Sequence, residues 1–174
     1  MSIRPILLLG NPVLRTPALR VKEFGSPGLQ ALADDLRDTL DDFLVRHGFG
    51  RGIAAPQIGE SRRMIFIRID TPCAMVNPVI TRHSRTMMTL WDDCFSFPDL
   101  AVKLKRSLTI EVRYQDLEGK RHALKARGAL AELLQHEIDH LDGILAIDRA
   151  IDARHIVYRS ELEKLKHVGV RKEM

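Results

Sequence analysis

Gln135-His136-Glu137-Ile138-Asp139-His140 lies inside an apolar run, with Leu130 to Leu134 before it and Leu141 after it, that reads as helix. Residues four apart share a helical face, so His136 and His140 can point at a single ion. Glu137 stands beside the first of them and can reach a water on that ion as a proton acceptor. The plain alternative is an amphipathic helix whose histidines are satisfied by hydrogen bonds. Two ligands do not make a hydrolytic metal site, so this reading requires a third from elsewhere in the chain.

Upstream of the helix the pattern is that of strands. Leu108 to Tyr114 alternates apolar residues with Thr, Glu and Arg, as a half-buried strand does. Asp116 to Gly119 reads as a hairpin turn, and Lys120 to Arg127 returns as its partner strand. Met64 to Ile69 and Met75 to Ile80 are β-rich, with Pro72 between them, and Thr86 to Asp92 and Asp99 to Lys105 are two further strand candidates. Farther back a helix is expected from Ser26 or Pro27 to about His47, with Ser26 as N-cap and Pro27 in the first helical position. Leu29, Leu32, Leu36, Leu40, Phe43 and Leu44 form its apolar stripe. Asp34, Asp35, Asp38, Asp41 and Asp42 fall mostly off that stripe and read as a solvated face rather than a metal site; Gly48 and Gly50 end the helix.

Downstream, the quoted helix spans about Gly128 to Leu141 and stops near Gly143. A last helix is expected over about Ala153 to Lys166, and residues 166–174 read as a flexible tail. Helix, antiparallel strands, then helix is an α+β order, not an alternating βαβ one. The expected architecture is one domain over residues 1–174. Antiparallel sheets would pack around a central helix carrying His-Glu-x-x-His, with further helices near each terminus.

Composition sets bounds on function. The chain has 174 residues, 45% hydrophobic and 29% charged, enough for a sizeable core, and only 5% aromatic, so that core is aliphatic. A formal net charge of +4 is modest and dispersed, and does not argue for sequence-specific nucleic-acid binding. Two cysteines, Cys73 and Cys94, are too few for a disulfide framework and suit a reducing compartment. No apolar run reaches the ~18 residues that a membrane span needs. The first residues lack a secretory or transit pattern, so a cytoplasmic location is the expectation.

Two other stretches stand out. Gly50-Arg51-Gly52-Ile53-Ala54-Ala55-Pro56-Gln57-Ile58-Gly59 is dense in small residues, which let the backbone approach another group closely. It is not a phosphate loop, because no Gly-Lys-Ser/Thr follows. Gln57 is its one uncharged hydrogen-bonding side chain. The second is Trp91-Asp92-Asp93-Cys94-Phe95-Ser96-Phe97-Pro98, at the end of a strand. Cys94, Cys73 and the carboxylates are the candidates for a third ligand, although a lone cysteine is more often a small buried hydrophobe.

In order and spacing, Gly50-x-Gly52-x-Ala54-Ala55-Pro56-Gln57, Asp92-Asp93-Cys94-Phe95-Ser96 and Gln135-His136-Glu137-x-Asp139-His140 together resemble peptide deformylase. Asn11-Pro12-x-Leu14-Arg15, Asn77-Pro78, Arg106, Leu141-Asp142-Gly143 and Asp148-Arg149 fit as well, so the resemblance runs from Ile6 to about Arg149. It implies a hydrolase that removes the formyl group from the N-terminal formyl-methionine of nascent polypeptides and releases formate. It also implies one divalent metal, usually ferrous iron, with zinc, nickel or cobalt admitted by the same donors. On this chain the implied ligands are Cys94, His136 and His140, with a fourth position left for water. Glu137 becomes the general base and acid, while the Gln57 amide and the Phe95 backbone N–H become oxyanion donors. Gly50, Gly52, Ile53, Asp93 and Leu133 are the expected substrate-binding walls, and Asp139 should flank the ligand face as a supporting acid.

The chain departs from the family pattern in several places. Bacterial members usually read Glu-Gly-Cys-Leu-Ser where this chain has Asp92-Asp93-Cys94-Phe95-Ser96. The shorter arm of Asp92 is expected to loosen a contact behind the ligands. Asp93 is expected to bring a negative charge near the metal. Phe95 changes the shape of the wall, and Glu132 stands where Arg is common. Altered substrate range or reduced turnover is therefore one alternative. A zinc endopeptidase is another, although its third ligand is usually a His or Glu downstream of the helix. A non-enzymatic peptide binder with its cleft blocked by Asp93 is a third. The basic end, Lys164, Lys166, His167, Arg171 and Lys172, is a solvated tail that would touch the ribosome surface if the resemblance holds.

Overall fold

The structure is a computed structural model that describes residues 2–69 and 71–168. Helix α1 covers Pro27–His47 and starts as its sequence dictates: the Ser26 hydroxyl accepts from the Leu29 N–H, and Pro27 fills the first turn. It ends where Gly48 turns left-handed and donates its N–H to the Leu44 carbonyl. Its buried stripe is Leu29, Leu32, Ala33, Leu36, Leu40 and Phe43. The aspartates opposite form ion pairs: Asp35 with Arg4, Asp34 with Arg37, Asp41 with Arg68 and Asp42 with Arg46. They are a salt-bridged outer face, in line with the solvated reading.

Strands β1 (Gly52–Ala54), β2 (Met64–Ile67), β3 (Cys73–His83), β6 (Thr109–Gln115) and β7 (Arg121–Arg127) form an antiparallel sheet in the order β1-β2-β3-β6-β7. A smaller antiparallel sheet has the order β4 (Met87–Asp93), β5 (Leu100–Ser107), β8 (Ile156–Tyr158). Helix α2 covers Ala129–Leu141. The larger sheet is covered on both faces, and β2 shows it. Met64 and Phe66 pack with Leu36 and Leu40 of α1, whereas Ile65 and Ile67 pack with Leu134, Ile138 and Leu141 of α2. All four residues of β2 are therefore buried. A third apolar cluster, including Leu14, Val102, Leu104 and Leu145, gathers under the small sheet around Cys94.

The α+β architecture is the expected one, and the central helix is buried from Ala131 to Leu141. A helix enclosed on all sides yet carrying Gln135, His136, Glu137, Asp139 and His140 must find a partner for each polar group. The turn after it is tight. A Cβ on Gly143, whose φ is +73°, would stand 2.6 Å from the Arg15 carbonyl oxygen.

The C-terminal segment differs from its expectation. In place of a helix over Ala153–Lys166, a helical turn at Ala153–His155 leads into strand β8, then a turn at Arg159–Glu161, and only then α3, Leu162–Val168. The physical reason is β5's open edge. Val102, Ala101 and Leu100 pair with Ile156, Val157 and Tyr158, residues with a pleated-sheet preference, and the pairing outweighs the helical spacing. The strand β1 is likewise a feature of pairing with β2, not of its glycine-rich composition. Of the tail expected over 166–174, residues 169–174 lie outside the described residues, and 166–168 end α3.

Candidate active site

Helix α2 and the end of β4 bring three donors together. Cys94 Sγ lies 3.3 Å from His140 Nε2, which lies 3.2 Å from His136 Nε2. All three residues are buried, and their ligand atoms lie within 4.8 Å of one another. One thiol and two imidazoles, four residues apart on a rigid helix, form a donor set that suits iron, zinc, nickel or cobalt, so these residues fit a divalent ion. Cys73 is not part of it. That residue is half-buried on β3, where burial pushes its thiol up.

His136 is held from behind. His136 Nδ1 lies 3.0 Å from Asp92 Oδ1, and Asp92 Oδ2 accepts from Arg106 Nη2 at 2.8 Å and Nε at 3.2 Å. Arg106 Nη1 donates to Asp139 at 2.9 Å, and Asp139 also accepts from Arg149 Nη2 at 2.7 Å. The loosened contact expected at Asp92 is not found. Its short carboxylate reaches both Arg106 and His136, because β4 carries it directly against α2. Burial would raise the Asp92 carboxyl, but His136 and Arg106 hold it well below the usual carboxylate range. Burial lowers both imidazoles; Asp92 nevertheless lifts His136 well above its ordinary value, while the charge on His136 lowers His140 further. Asp139 flanks the ligand face as expected, tying α2 to β5 and to the segment after it.

Gln57 follows β1 on a short helical turn, and its orientation is set locally. Oε1 accepts from the Ala54 N–H at 2.9 Å, which commits the carbonyl end and leaves Nε2 as a donor 3.6 Å from Cys94 Sγ and 3.4 Å from Ser96 Oγ. Glu137 is 3% exposed, and its Oε2 has no partner among the described residues. Burial first, then Asp92 and Glu132, push its carboxyl up from 4.5 to about 7, against the opposing effect of His136 and Arg106. A Cβ on Gly52 would stand 2.8 Å from Glu137 Oε1, so only glycine lets β1 pass this close.

Gln57, Cys94, His136 and Glu137 border a cavity of about 330 Å³, whose wall also includes Gly50, Gly52, Asp93, Phe95 and Leu133. Ile53 does not border it. Successive residues of a strand face opposite ways, so with Gly52 turned to Glu137, Ile53 turns into the core under α1. Asp93 does not lean on the donors. It is an exposed residue paired with Arg159 Nη1 at 3.2 Å, and the Arg159 guanidinium lies 3.9 Å over the Phe49 ring. Phe95 stacks on Phe43 with centroids 3.8 Å apart, and a Cβ on Gly50 would run into its ring at 2.5 Å. Glu132 pairs with Arg51. Each departure from the family pattern thus has a partner: Arg106, Arg159, Phe43 and Arg51. The sequence marked Arg106 by position alone. It gave no signal for Arg159, which reaches Phe49 and Asp93 of the cleft wall through a strand pairing far along the chain.

Comparison with known proteins agrees with this geometry. Residues 3–155 match the family model described as polypeptide deformylase. A Brucella suis peptide deformylase is 36% identical over 171 residues, covering 95% of this chain and 94% of the relative. A peptide deformylase from Dictyoglomus thermophilum is 38% identical over 151 residues, covering 86% and 94%. Among solved structures, a Legionella pneumophila peptide deformylase superposes with a TM-score of 0.81 at 36% identity, covering 99% of this chain and 100% of that one. An Acinetobacter baumannii peptide deformylase with Met-Ala-Ser bound gives 0.78 at 33% identity, covering 86% and 99%. Fold, motif order and likeness over nearly the whole length lead to one assignment: the chain belongs to the peptide deformylase family, metal-dependent hydrolases that remove the formyl group from nascent peptides.

Proposed function

We propose that this chain hydrolyses the formamide of N-terminal formyl-methionyl peptides with Cys94, His136 and His140 holding one divalent ion, ferrous iron in the first place. The observation that carries the reading is the meeting, in one buried cleft, of those three donors with an unpartnered acid, Glu137, and an oriented amide, Gln57. A bound divalent ion supplies Lewis-acid polarisation and lowers the pKa of a coordinated water towards neutrality. Glu137 Oε2 takes the proton of the attacking water and returns it to the departing amine nitrogen. A carboxyl near pH 7 can do both. Gln57 Nε2 and the Phe95 N–H donate to the oxygen that becomes negative as the formyl carbon turns tetrahedral.

Substrate placement follows from the sheets. Strand β1 ends the larger sheet and β4 ends the smaller one, and both reach the cavity, through Gly52 and through Asp92 and Asp93. Two open strand edges facing one cleft suit an extended peptide held by its main chain. An endopeptidase built on the same helix is disfavoured, because the third donor is an upstream cysteine. Among the described residues no helix is long and apolar enough to cross a membrane. A cytoplasmic location beside the ribosome, where nascent chains emerge, is part of the same proposal. The test is anaerobic purification, metal analysis and a formate assay on formyl-Met-Ala-Ser using one sample. Formate release that tracks iron content is expected, and a fully iron-loaded protein without turnover would sink the reading.

A further inference from the structure

Positive charge that is dispersed along the sequence is gathered by the fold onto one face. Strands β6 and β7 turn Ile110, Val112, Leu124 and Ala126 towards α2, so the residues between them point the other way. In register these are Gln115 beside Arg121, Arg113 beside Ala123, Glu111 beside Lys125 and Thr109 beside Arg127. Met64, Val76, Gln115 and Arg121 form one row across the larger sheet, and paired residues share a face. Helix α1 covers that row at Met64, but Arg113, Arg121, Lys125 and Arg127 at the far side are exposed. Three hollows of about 540, 280 and 530 Å³ adjoin along this bare side. The first two share Arg113 and Ala123 and the last two share Glu111 and Lys125, so they form one trough. From Arg121 to Arg127 it runs roughly 20 Å along β7.

Arg20 borders one end of the trough and Arg82 the other. Of these six cations only Arg82 meets an acid, Glu111 at 3.8 Å; the other five make no ion pair among the described residues. Glu111 is also the one carboxylate in the walls among the described residues. The trough thus carries five net positive charges where the whole chain has +4, which leaves the rest of the chain slightly acidic. Protection of an edge strand accounts for charge on β7 alone. It does not account for Arg113 of β6, for Arg20 from the chain before α1, or for a single sign throughout. We propose that this trough is a docking surface for the phosphate backbone of double-stranded RNA.

Five of the six cations are arginines, whose planar fork takes two phosphate oxygens at once. The middle of the trough holds no aromatic ring, and at one end Tyr114 and His122 stack on each other with centroids 5.1 Å apart. Unpaired bases find no stacking platform there, so a paired backbone is the form that fits. A duplex is a rod that enters a trough, whereas a flat bilayer spans its rims. Cations do not distinguish the sugar. RNA is the choice because the proposed substrate is a nascent chain, which is made on RNA, and that choice rests on the hydrolase reading above. Strand β1, which borders the peptide cleft, is the opposite edge of the sheet from β7, so a docked duplex leaves the cleft open.

The test measures binding of a short RNA duplex to the iron-loaded protein by fluorescence anisotropy over a range of salt. For about five phosphate contacts, log affinity should fall against log salt with a slope of roughly −4, a loss on the order of 10²–10³-fold between about 50 and 200 mM. Arg113→Gln/Arg121→Gln/Lys125→Gln should flatten that slope by about 3 and weaken low-salt binding at least ~10-fold. Arg37→Gln/Arg154→Gln/Lys164→Gln, which removes as much charge elsewhere, should keep the wild-type slope. Both variants should release formate from formyl-Met-Ala-Ser as wild type does. A wild-type slope shallower than about −2, an unmoved slope in the trough variant, or an equal loss in the control overturns the inference. So does equal affinity for anionic lipid vesicles or for polyglutamate. Ultraviolet cross-linking in cells then separates the sources. Ribonuclease-sensitive adducts that the trough variant lacks are expected; no adducts, or adducts sensitive only to deoxyribonuclease, overturn the choice of RNA. If the trough variant does not fold, Arg20→Gln/Arg121→Gln decides by a slope flattened by about 2. Absence of formate from every sample overturns the hydrolase reading instead, and anisotropy still judges the trough.

Discussion

At the scale of single residues, the site works by committing one end of each polar group so that the other end is available. Gln57 spends its carbonyl on the Ala54 N–H, which turns its amide nitrogen towards Cys94 and Ser96. Gln57→Ala should lose about 10²–10³ in kcat with metal content unchanged; loss of the metal would show that the oxyanion role is wrong. Glu137 is kept protonated to about pH 7 by burial, whereas its unfolded value is 4.5. Between those pH values the folded chain holds a proton that the unfolded chain has lost, so this residue's burial costs stability as pH rises. For metal-free protein, Glu137→Gln should melt higher than wild type at pH 8 by up to ~3 kcal/mol, the advantage shrinking to nothing near pH 4. Parallel melting curves over that range check the sign. Arg106 neutralises two buried carboxylates at once, Asp92 and Asp139. Arg106→Met leaves Asp92 with His136 alone and Asp139 with Arg149 alone, and should cost about 3–5 kcal/mol in denaturant unfolding.

At the scale of elements, local sequence and tertiary pairing divide the work. Helix α1 is local: Ser26 caps it, Gly48 ends it and Leu29 to Phe43 bury its stripe. Ser26→Ala should lower stability by about 1 kcal/mol without touching turnover, measured by thermal melting and the formate assay together. Strand β8 is the reverse case, since its three residues are extended only because β5 offers an edge. Its placement brings Arg159 onto Phe49 and Asp93. Exposed pairs of this sort contribute little to stability, about 0–1 kcal/mol. Arg159→Ala should therefore barely move the melting temperature while raising KM, because Phe49 and Asp93 lose the contact that joins the two sides of the cleft mouth. An unchanged KM would reduce Arg159 to a surface residue.

At the scale of the molecule, α2 is the common wall. The larger sheet, the smaller sheet and the chain before α1 all close on it: Arg106 of β5 meets Asp139, Leu134 and Ile138 meet Ile65, and the Ala18 N–H binds the Leu141 carbonyl. A metal held between α2 and β4 would therefore brace two sheets. Chelation should lower the melting temperature and added ferrous iron restore it, while Cys94→Ser should abolish that difference. The basic end of the chain raises a separate expectation for the ribosome. Deleting residues 169–174 should reduce co-sedimentation with ribosomes, and unchanged co-sedimentation counts against contact through that end.

The sequence by itself determined whatever depends on spacing along one element or on motifs in order. His136 and His140 share a face because they are four apart, α1 carries its own start and stop signals, and the Leu108–Tyr114 alternation is a strand wherever it is put. It also carried the family, because three motifs with fixed separations are specific where one is not. The tertiary structure alone decided what depends on elements meeting. Cys94 becomes the third donor through the docking of β4 on α2, and Ile53 leaves the cleft because β1 pairs with β2. Asp93 is drawn to Arg159 by a strand that no local signal predicted. The doubts raised by Asp92, Asp93, Phe95 and Glu132 belong to this second kind. Each looked like a defect while its partner was unknown, because a charge or a ring is judged by what surrounds it, and what surrounds it is set by packing.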